Sequence, residues 1–596
     1  MPEEFKVLCQ MKQGAVRDSG IRKEESMNTA ELMIELLAQV GVEYIFGVPG
    51  GAIEDLNTAI HHKQKSVRPI VTKHESGAAF MADGYARVSR KLGVCCATAG
   101  PGASNLITGL ASSFADQIPV LALTGQVATS VFGKGAIQES GSEGVNITNI
   151  FRNFTKYSGM LITENRAQYM LQKAVRLAMS GPTGPTHLNL PTDIMKRKVS
   201  RMQPCSFKME GRLFDEENVR RAAKYLVAAK RPVVIAGWGV VLSRAANELL
   251  ELAQLLQIPV ATSPKAKGVF PESHPLSLGV LGFAGSPAAK EYIVDGEVDV
   301  MLGVGTSFSE MMTSGWDDRL WPEDHLIHID INPEKIGRNY CTSVGLVGDA
   351  RMNLKELCKA IVEERSRQYS SVHGNSVMEG IAALRRKQQD IPEDFRCREN
   401  FYHPQKLVLD IQRAFPTDTV YFADIGTSMA WAIRHMTVDR PYSFYVSLGF
   451  GSMGYAVAAP VGAKLAVPER PVVAMVGDGS FQMNGFEVAT AVDNDIPVVW
   501  VVFNNAMLGM VHHGRRLFKT PLPDGLPARF KRLDFVRIAE GMGARGVRLD
   551  GANPLTPELA GDILAEGRPT VLDVWIDDEV VPPIHSRIAT VDKHFG

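Results

Sequence analysis

Apolar residues fall along this chain in short continuous runs punctuated by glycine, rather than in strict alternation with polar ones. RPIVT, LGVCCATAG, PVLALTGQ, RPVVIAGWG, DVMLGVGTS, HLIHIDI, PVVAMVGDG and IPVVWVVFNN each read as a strand buried on both faces. Stretches with helical spacing separate them. In the first of these, Asn28 and Glu31 make a capping box, Leu32, Leu36 and Leu37 form an apolar stripe, and Gly41 sits where a C-cap glycine belongs. Strand and helix in alternation predict an α/β protein built on parallel sheets.

Two polar, irregular segments break the rhythm, at 195–217 and 365–380, and are expected to be linkers. The predicted organisation is an N-terminal extension (1–27), three open parallel-sheet domains (28–195, 216–364 and 400–577) and a C-terminal tail (578–596). Met27 opens the first patterned helix, so translation starting there is one expectation. The first and third domains share a glycine-rich texture, which a single sequence cannot turn into proof of duplication.

Composition narrows the class. A chain of 596 residues that is 45% hydrophobic, 22% charged and 7% aromatic is ordinary globular material. Sixty-four basic against 65 acidic residues leave a net charge of −1, so no overall field draws in nucleic acid or an anionic membrane. Seven cysteines without any C-x-x-C suggest neither a disulfide framework nor a zinc site, which fits a reducing cytoplasm. The first residues lack the apolar core of a secretory signal, and no run of about 18 apolar residues follows. The expected partners are therefore small molecules bound at local sites.

The strongest chemical signal is Gly477-Asp478-Gly479-Ser480, followed by Asn504-Asn505, with Asn505 lying 27 positions after Asp478. Each cluster ends a buried strand, where open α/β sheets bind ligands. A carboxylate, an amide oxygen and a nearby main-chain carbonyl suit Mg²⁺, which takes phosphate oxygens as further ligands. The Gly479 and Ser480 peptide N–H groups at a helix start would cradle those phosphates. An ordinary tight turn accounts for Gly-Asp-Gly alone but not for its pairing with Asn-Asn.

A second signal is Glu75, at the end of the strand RPIVT and the head of a helix of small residues. It either complements the helix N-terminus or, if desolvated, holds and shares a proton. A third pattern, Gly449-x-Gly451-x-x-Gly454, matches the dinucleotide fingerprint. Its nearness to Asp478 makes one shared phosphate site more economical than a second nucleotide site.

Taken together, FGVPGGA, KHESGAAFMADGYAR, ATAGPGASNLITGLA, GSMGYAVAAPVGA and GDGSFQMNGFEVATA with NNAMLGMV resemble the thiamine diphosphate-dependent enzymes of the acetolactate synthase group, over about residues 28–577. The resemblance implies a pyrimidine-binding domain, a central flavin- or nucleotide-binding-like domain and a diphosphate-binding domain. It also implies active sites shared between subunits of a homodimer or homotetramer. It makes Glu75 the acid that hydrogen-bonds the aminopyrimidine and promotes its imino tautomer. Asp478, Asn505 and the Met507 carbonyl become the Mg²⁺ ligands. Thr427 and Ser428 would touch the diphosphate, Met453 would prop the bent cofactor, and Gly50, Gly51, Pro101, Gly477, Gly479 and Ser480 would approach it.

The chain departs from that group where the acceptor is held. The group's G-V-R-F-D-D-R arginine is replaced by Ser307, and its M-V-R-Q-W reads Met510-Val511-His512-His513-Gly514. The phenylalanine of A-F-Q-E is Ile137, while Gln138 and Lys156 keep their types. Serine cannot reproduce a bidentate guanidinium grip on a carboxylate. The expectation is a carboligase that decarboxylates a 2-keto acid, pyruvate first, and passes the two-carbon unit to an aldehyde or ketone in a pocket with extra room. His512 and His513 invite a proton-transfer role there, or are simply solvated on a basic segment reading as an active-site flap from Arg515 to Arg532. A decarboxylase or lyase, a genuine acetolactate synthase and a non-catalytic nucleotide-binding relative are the alternatives. In the central domain, Gly237, Gly239, Asp330, Ile331, Asp349 and Ala350 match positions near a flavin nucleotide, but VLGFAGS lacks the usual M-H-G. Structural FAD and a nucleotide-free domain are both open.

Overall fold

The computed structural model describes residues 27–199, 214–367, 374–386, 395–518 and 527–595. The anticipated extension before Met27, most of the first linker, parts of the second linker, part of the Arg515–Arg532 stretch and the final residue of the tail lie outside the described residues.

Among the described residues, eighteen strands form three six-stranded, wholly parallel sheets. In the first are β1 (Tyr44–Gly47), β2 (Arg68–Val71), β3 (Gly93–Ala97), β4 (Val120–Gln126), β5 (Tyr157–Met160) and β6 (Thr186–Pro191). The second has β7 (Val233–Ala236), β8 (Val260–Thr262), β9 (Ser277–Val280), β10 (Val300–Val304), β11 (His325–Asp330) and β12 (Val344–Val347). The third has β13 (Val420–Ala423), β14 (Phe444–Tyr445), β15 (Val472–Gly477), β16 (Val499–Asn504), β17 (Arg545–Leu549) and β18 (Thr570–Trp575).

The first sheet runs β2-β1-β3-β4-β6-β5 and the third β14-β13-β15-β16-β18-β17, the same order when each is counted from its own first strand. The shared texture read from the sequence is thus a shared topology. The central sheet, β12-β11-β10-β7-β8-β9, reverses direction between β7 and β10, which opens a crevice at the carboxyl ends of those strands. Among the described residues no helix is long and apolar enough to cross a membrane.

The capping box of Asn28 and Glu31 forms as read, with Gly41 at φ +85° just past the helix. The outer domains meet where helix Glu75–Ser89 lies against helix Tyr455–Ala466. Two glycines permit this approach: a Cβ on Gly84 would strike the Ala459 carbonyl, and one on Gly462 the Met81 carbonyl. Behind the seam lies a buried polar knot. Arg87 donates to Asp83 at 2.9 Å and to Asp116 at 3.1 Å. Asp116 also accepts from Lys265 of the central domain at 2.9 Å and from the Gly449 N–H of the third at 3.1 Å. The Trp238 indole donates to the Asp116 carbonyl at 2.8 Å, so one residue joins all three domains.

Candidate active site

Asp478 opens a helix directly at the end of β15, and Asn505 follows the last residue of β16, which pairs with β15. Adjacent parallel strands thereby bring the two together despite the 27 residues between them. Asp478 Oδ2 accepts the N–H groups of Asn505 (3.1 Å) and Ala506 (2.6 Å), and Oδ1 accepts that of Gly479 (2.8 Å). Burial pushes its carboxyl up to about 7, against the lowering by these N–H groups. A carboxylate buried this deeply, with only neutral donors at its oxygens, fits a cation that restores its charge. The described residues hold no cluster of three His, Cys, Asp or Glu, so a metal here would depend on the mixed set of Asp478, Asn505 and a main-chain carbonyl.

The surroundings suit a phosphate-bearing group. A Cβ on Gly426, Gly451 or Gly477 would meet only open space. A Cβ on Gly509 would lie 3.0 Å from Thr427 Cγ2 and 3.2 Å from Asn505 Nδ2, which places Thr427 beside the asparagine. Met453 and Leu508 cover Gly479, their terminal methyls 3.6 and 2.8 Å from where its Cβ would stand. Two expected phosphate donors are otherwise engaged. The Gly479 N–H serves Asp478, and the Ser428 hydroxyl donates to the Asp424 carbonyl at 3.3 Å. Ser480 donates to the Ile425 carbonyl at 3.4 Å, a long bond.

Sequence reading missed Asp424. It is fully buried after β13 and accepts the N–H groups of Gly454 (3.0 Å) and Ala456 (2.6 Å), which pins the glycine turn carrying Met453. Burial pushes its carboxyl up to about 6. The signal was present, an Asp-Ile-Gly at a strand end, but its partner lies 30 residues away. Asn504, read as part of the metal motif, instead donates to Asp573 at 2.8 Å and ties β16 to β18.

The first domain carries the second half. Gly50, Glu75 and Pro101 lie past the carboxyl ends of β1, β2 and β3 respectively, so one sheet edge collects them. Gly51 follows Gly50 there, with nothing near the place of its Cβ. Glu75 is 8% exposed, and its Oε2 accepts from Asn105 Nδ2 at 3.0 Å. Gly102 stands where a Cβ would come 3.2 Å from Oε1. Beside Pro101 an open cleft of about 730 Å³ is lined by Gln138, Glu139 and Glu143. Ile137 is 87% exposed at its margin. Glu75 and Asp478 hydrogen-bond to different groups, Glu75 to Asn105 and Asp478 to the Gly479, Asn505 and Ala506 N–H groups.

Comparison with known proteins fits this geometry. Residues 27–145 match the thiamine pyrophosphate enzyme N-terminal TPP binding domain, 219–357 the central domain and 424–574 the C-terminal TPP binding domain. The chain is 35% identical over 576 residues to a probable acetolactate synthase large subunit of Methanocaldococcus jannaschii, covering 94% of each. It is 33% identical to an acetolactate synthase of Mycobacterium bovis, covering 94% of this chain and 90% of the relative. It is 32% identical to the acetolactate synthase isozyme 3 large subunit of Escherichia coli, covering 96% and 98%. The chain belongs to the thiamine pyrophosphate enzymes of the acetolactate synthase group.

The matched central domain carries a cavity of about 310 Å³ where the strand order reverses. Gly239, Asp330, Ile331, Asp349 and Ala350 line it, together with Arg90, Lys265 and Lys335. Gly237 supports the turn from below, its Cβ position 2.5 Å from Thr306 Cβ. Ser307 lines this cavity too, rather than standing with His512–Gly514. Lys156 lies elsewhere than read as well: its ammonium donates to the carbonyls of Ser180 (2.7 Å) and Pro182 (2.6 Å), holding a turn at the cavity wall.

The His512–Gly514 segment lies on helix Gly509–Leu517. His513 is 2% exposed, and burial, then His512 and Arg516, pull its imidazole down to about 4. His512 is likewise lowered by burial and by Arg529 and Arg516. Both are neutral near pH 7, which argues against a standing imidazolium as proton donor. The extra room expected at Gly514 is also smaller than the sequence suggested. Ile588 of the C-terminal helix His585–Phe595 brings its Cδ1 to 3.4 Å from the Gly514 Cβ position.

Proposed function

We propose that this carboligase of acetolactate synthase type takes a 2-keto acid donor, pyruvate first, and passes its two-carbon unit to an aldehyde or ketone. One observation carries the acceptor reading: no guanidinium at the altered positions is left for a second carboxylate. Positions 512–514 read His-His-Gly. The neighbouring arginines have partners of their own: Arg515 donates to the Pro527 carbonyl at 3.2 Å, and Arg529 pairs with Asp578 at 2.6 Å. Arg516 faces Glu579 at 3.5 Å.

Thiamine diphosphate, when bound, supplies the electron sink for the carbanion left by decarboxylation. The chain's own residues do the rest. Asp478, Asn505 and the Met507 carbonyl would hold Mg²⁺ against the diphosphate. Glu75, held by Asn105, moves the proton at the pyrimidine end. Met453 and Leu508 exclude water above Gly479.

The unshared partners of Glu75 and Asp478 support a site completed by a second copy, hence a homodimer or homotetramer. Exposed Phe450, Met483 and Phe486 supply apolar surface for such a contact. The central cavity is read as a structural FAD site, with Arg90, Lys265 and Lys335 for phosphates and Asp330 and Asp349 for hydroxyls. Flavin absorbance released on denaturation would establish it, and its absence would leave the domain nucleotide-free. Buried Cys95, Cys96 and Cys358 are free thiols, in keeping with a cytoplasmic setting.

The test supplies labelled pyruvate, thiamine diphosphate, Mg²⁺ and a panel of aldehydes, ketones and 2-keto acids, followed by mass spectrometry. Label on a non-keto-acid acceptor, lost in Glu75→Gln, is the expected result. Ready conversion of pyruvate alone to acetolactate would overturn the acceptor reading in favour of the activity its relatives are named for. Free acetaldehyde alone would make it a decarboxylase.

A further inference from the structure

We propose that Glu487 is a positioning residue for Glu75, fixing the main chain from which that acid projects. Glu487 opens helix Glu487–Asp493, nine positions beyond Asp478, and is 1% exposed. Its side chain leaves the third domain and enters the first. Oε1 accepts the His74 N–H at 2.9 Å, and Oε2 accepts the Lys73 N–H at 3.2 Å and the Thr490 hydroxyl at 2.7 Å. His74 is the N-cap of the helix that Glu75 begins, so the two clamped peptides immediately precede the acid.

Three features show a site built around this carboxylate. Three donors converge on its two oxygens, which only an acceptor-only group satisfies. Gly77, on the first turn of the Glu75 helix, leaves the space the carboxylate occupies, since a Cβ there would strike it. The nearest ammonium, Lys73 Nζ, is paired with Asp493 instead. The same short segment therefore carries the cation-binding aspartate and grips the backbone of the acid. In one chain the two half-sites cannot shift independently.

This inference rests on the reading that Glu75 moves the cofactor's activating proton. The test uses the full chain and measures exchange of the ring C2 proton of bound thiamine diphosphate for deuterium, by quenched-flow NMR. Cofactor affinity and melting temperature are read alongside. Glu487→Gln keeps the size but turns an amide N–H₂ toward a peptide N–H. Exchange in the cofactor-loaded protein should slow about tenfold or more, while cofactor affinity changes little. In a Glu75→Gln background the same substitution should slow exchange no further. Should Glu487→Gln fail to fold, Glu487→Asp, which keeps the charge and withdraws it by one methylene, is read by the same criteria. Wild-type exchange in loaded Glu487 variants, or slowing that simply adds to that of Glu75→Gln, would overturn the proposal. Undiminished exchange in Glu75→Gln alone would instead sink the Glu75 reading, and this inference with it.

Discussion

Lys265 and Asp116 face each other at 2.9 Å across the boundary between the central and first domains, and they join the wall of the central cavity to the knot that holds all three domains. Asp116 is wholly buried. Burial by itself would raise its carboxyl, but Lys265 and Arg87 outweigh that, and the net shift is downward.

Removing this carboxylate strands Lys265 and leaves Arg87 with Asp83 alone. Asp116→Ala should cost about 3–5 kcal/mol, the penalty of breaking a buried pair and leaving its partner charges uncompensated. Denaturant unfolding monitored by tryptophan fluorescence checks it. Because the folded value lies below the unfolded one, the stabilisation is present above about pH 4 and is lost as pH falls through the folded value. Acid unfolding of Asp116→Asn should show a shallower pH dependence than that of the wild type.

Asp424 holds the turn that carries Met453. Asp424→Ala frees the buried N–H groups of Gly454 and Ala456. The expected cost is about 1–3 kcal/mol for each donor left without a partner. Weaker retention of thiamine diphosphate on gel filtration should accompany it.

Gly514→Trp would drive an indole into Ile588. Alone it should lower stability by about 1–3 kcal/mol through overpacking. Combined with Ile588→Ala, stability should recover. The product spectrum of the double variant, read by mass spectrometry, should narrow toward smaller acceptors, because the indole then fills the pocket.

Cation removal tests the mixed ligand set. Chelation should release the cofactor, and added Mg²⁺ should restore it. Asp478→Ala should lose that restoration, with cofactor affinity down by at least about tenfold, as followed by equilibrium dialysis.

Local signals carried far in this chain. The Asn28 capping box, the continuous apolar strands and the βα turn at Asp478 depend on residues within a few positions of each other, so their physics is written contiguously. The strand-end positions of Asp478 and Asn505 were legible for the same reason. Ser307 and Lys156 were not. Their chemical type pointed to an acceptor, whereas their location depends on which crevice the central sheet opens and which turn an ammonium can reach. Asp424 and Glu487 escaped sequence reading because they act on peptide N–H groups of distant residues, and any residue type supplies those.

The sequence by itself determined the α/β class, the family and the strand-end placement of Glu75, Asp478 and Asn505, since buried parallel strands and strand-end polar groups are local properties of the chain. Only the tertiary structure decided that Glu487 reaches the peptides before Glu75, that Asp116 joins three domains and that Ile588 fills the space beside Gly514. Each of these is a contact between residues tens to hundreds of positions apart, and such contacts are set by how sheets and helices pack, not by spacing along the chain.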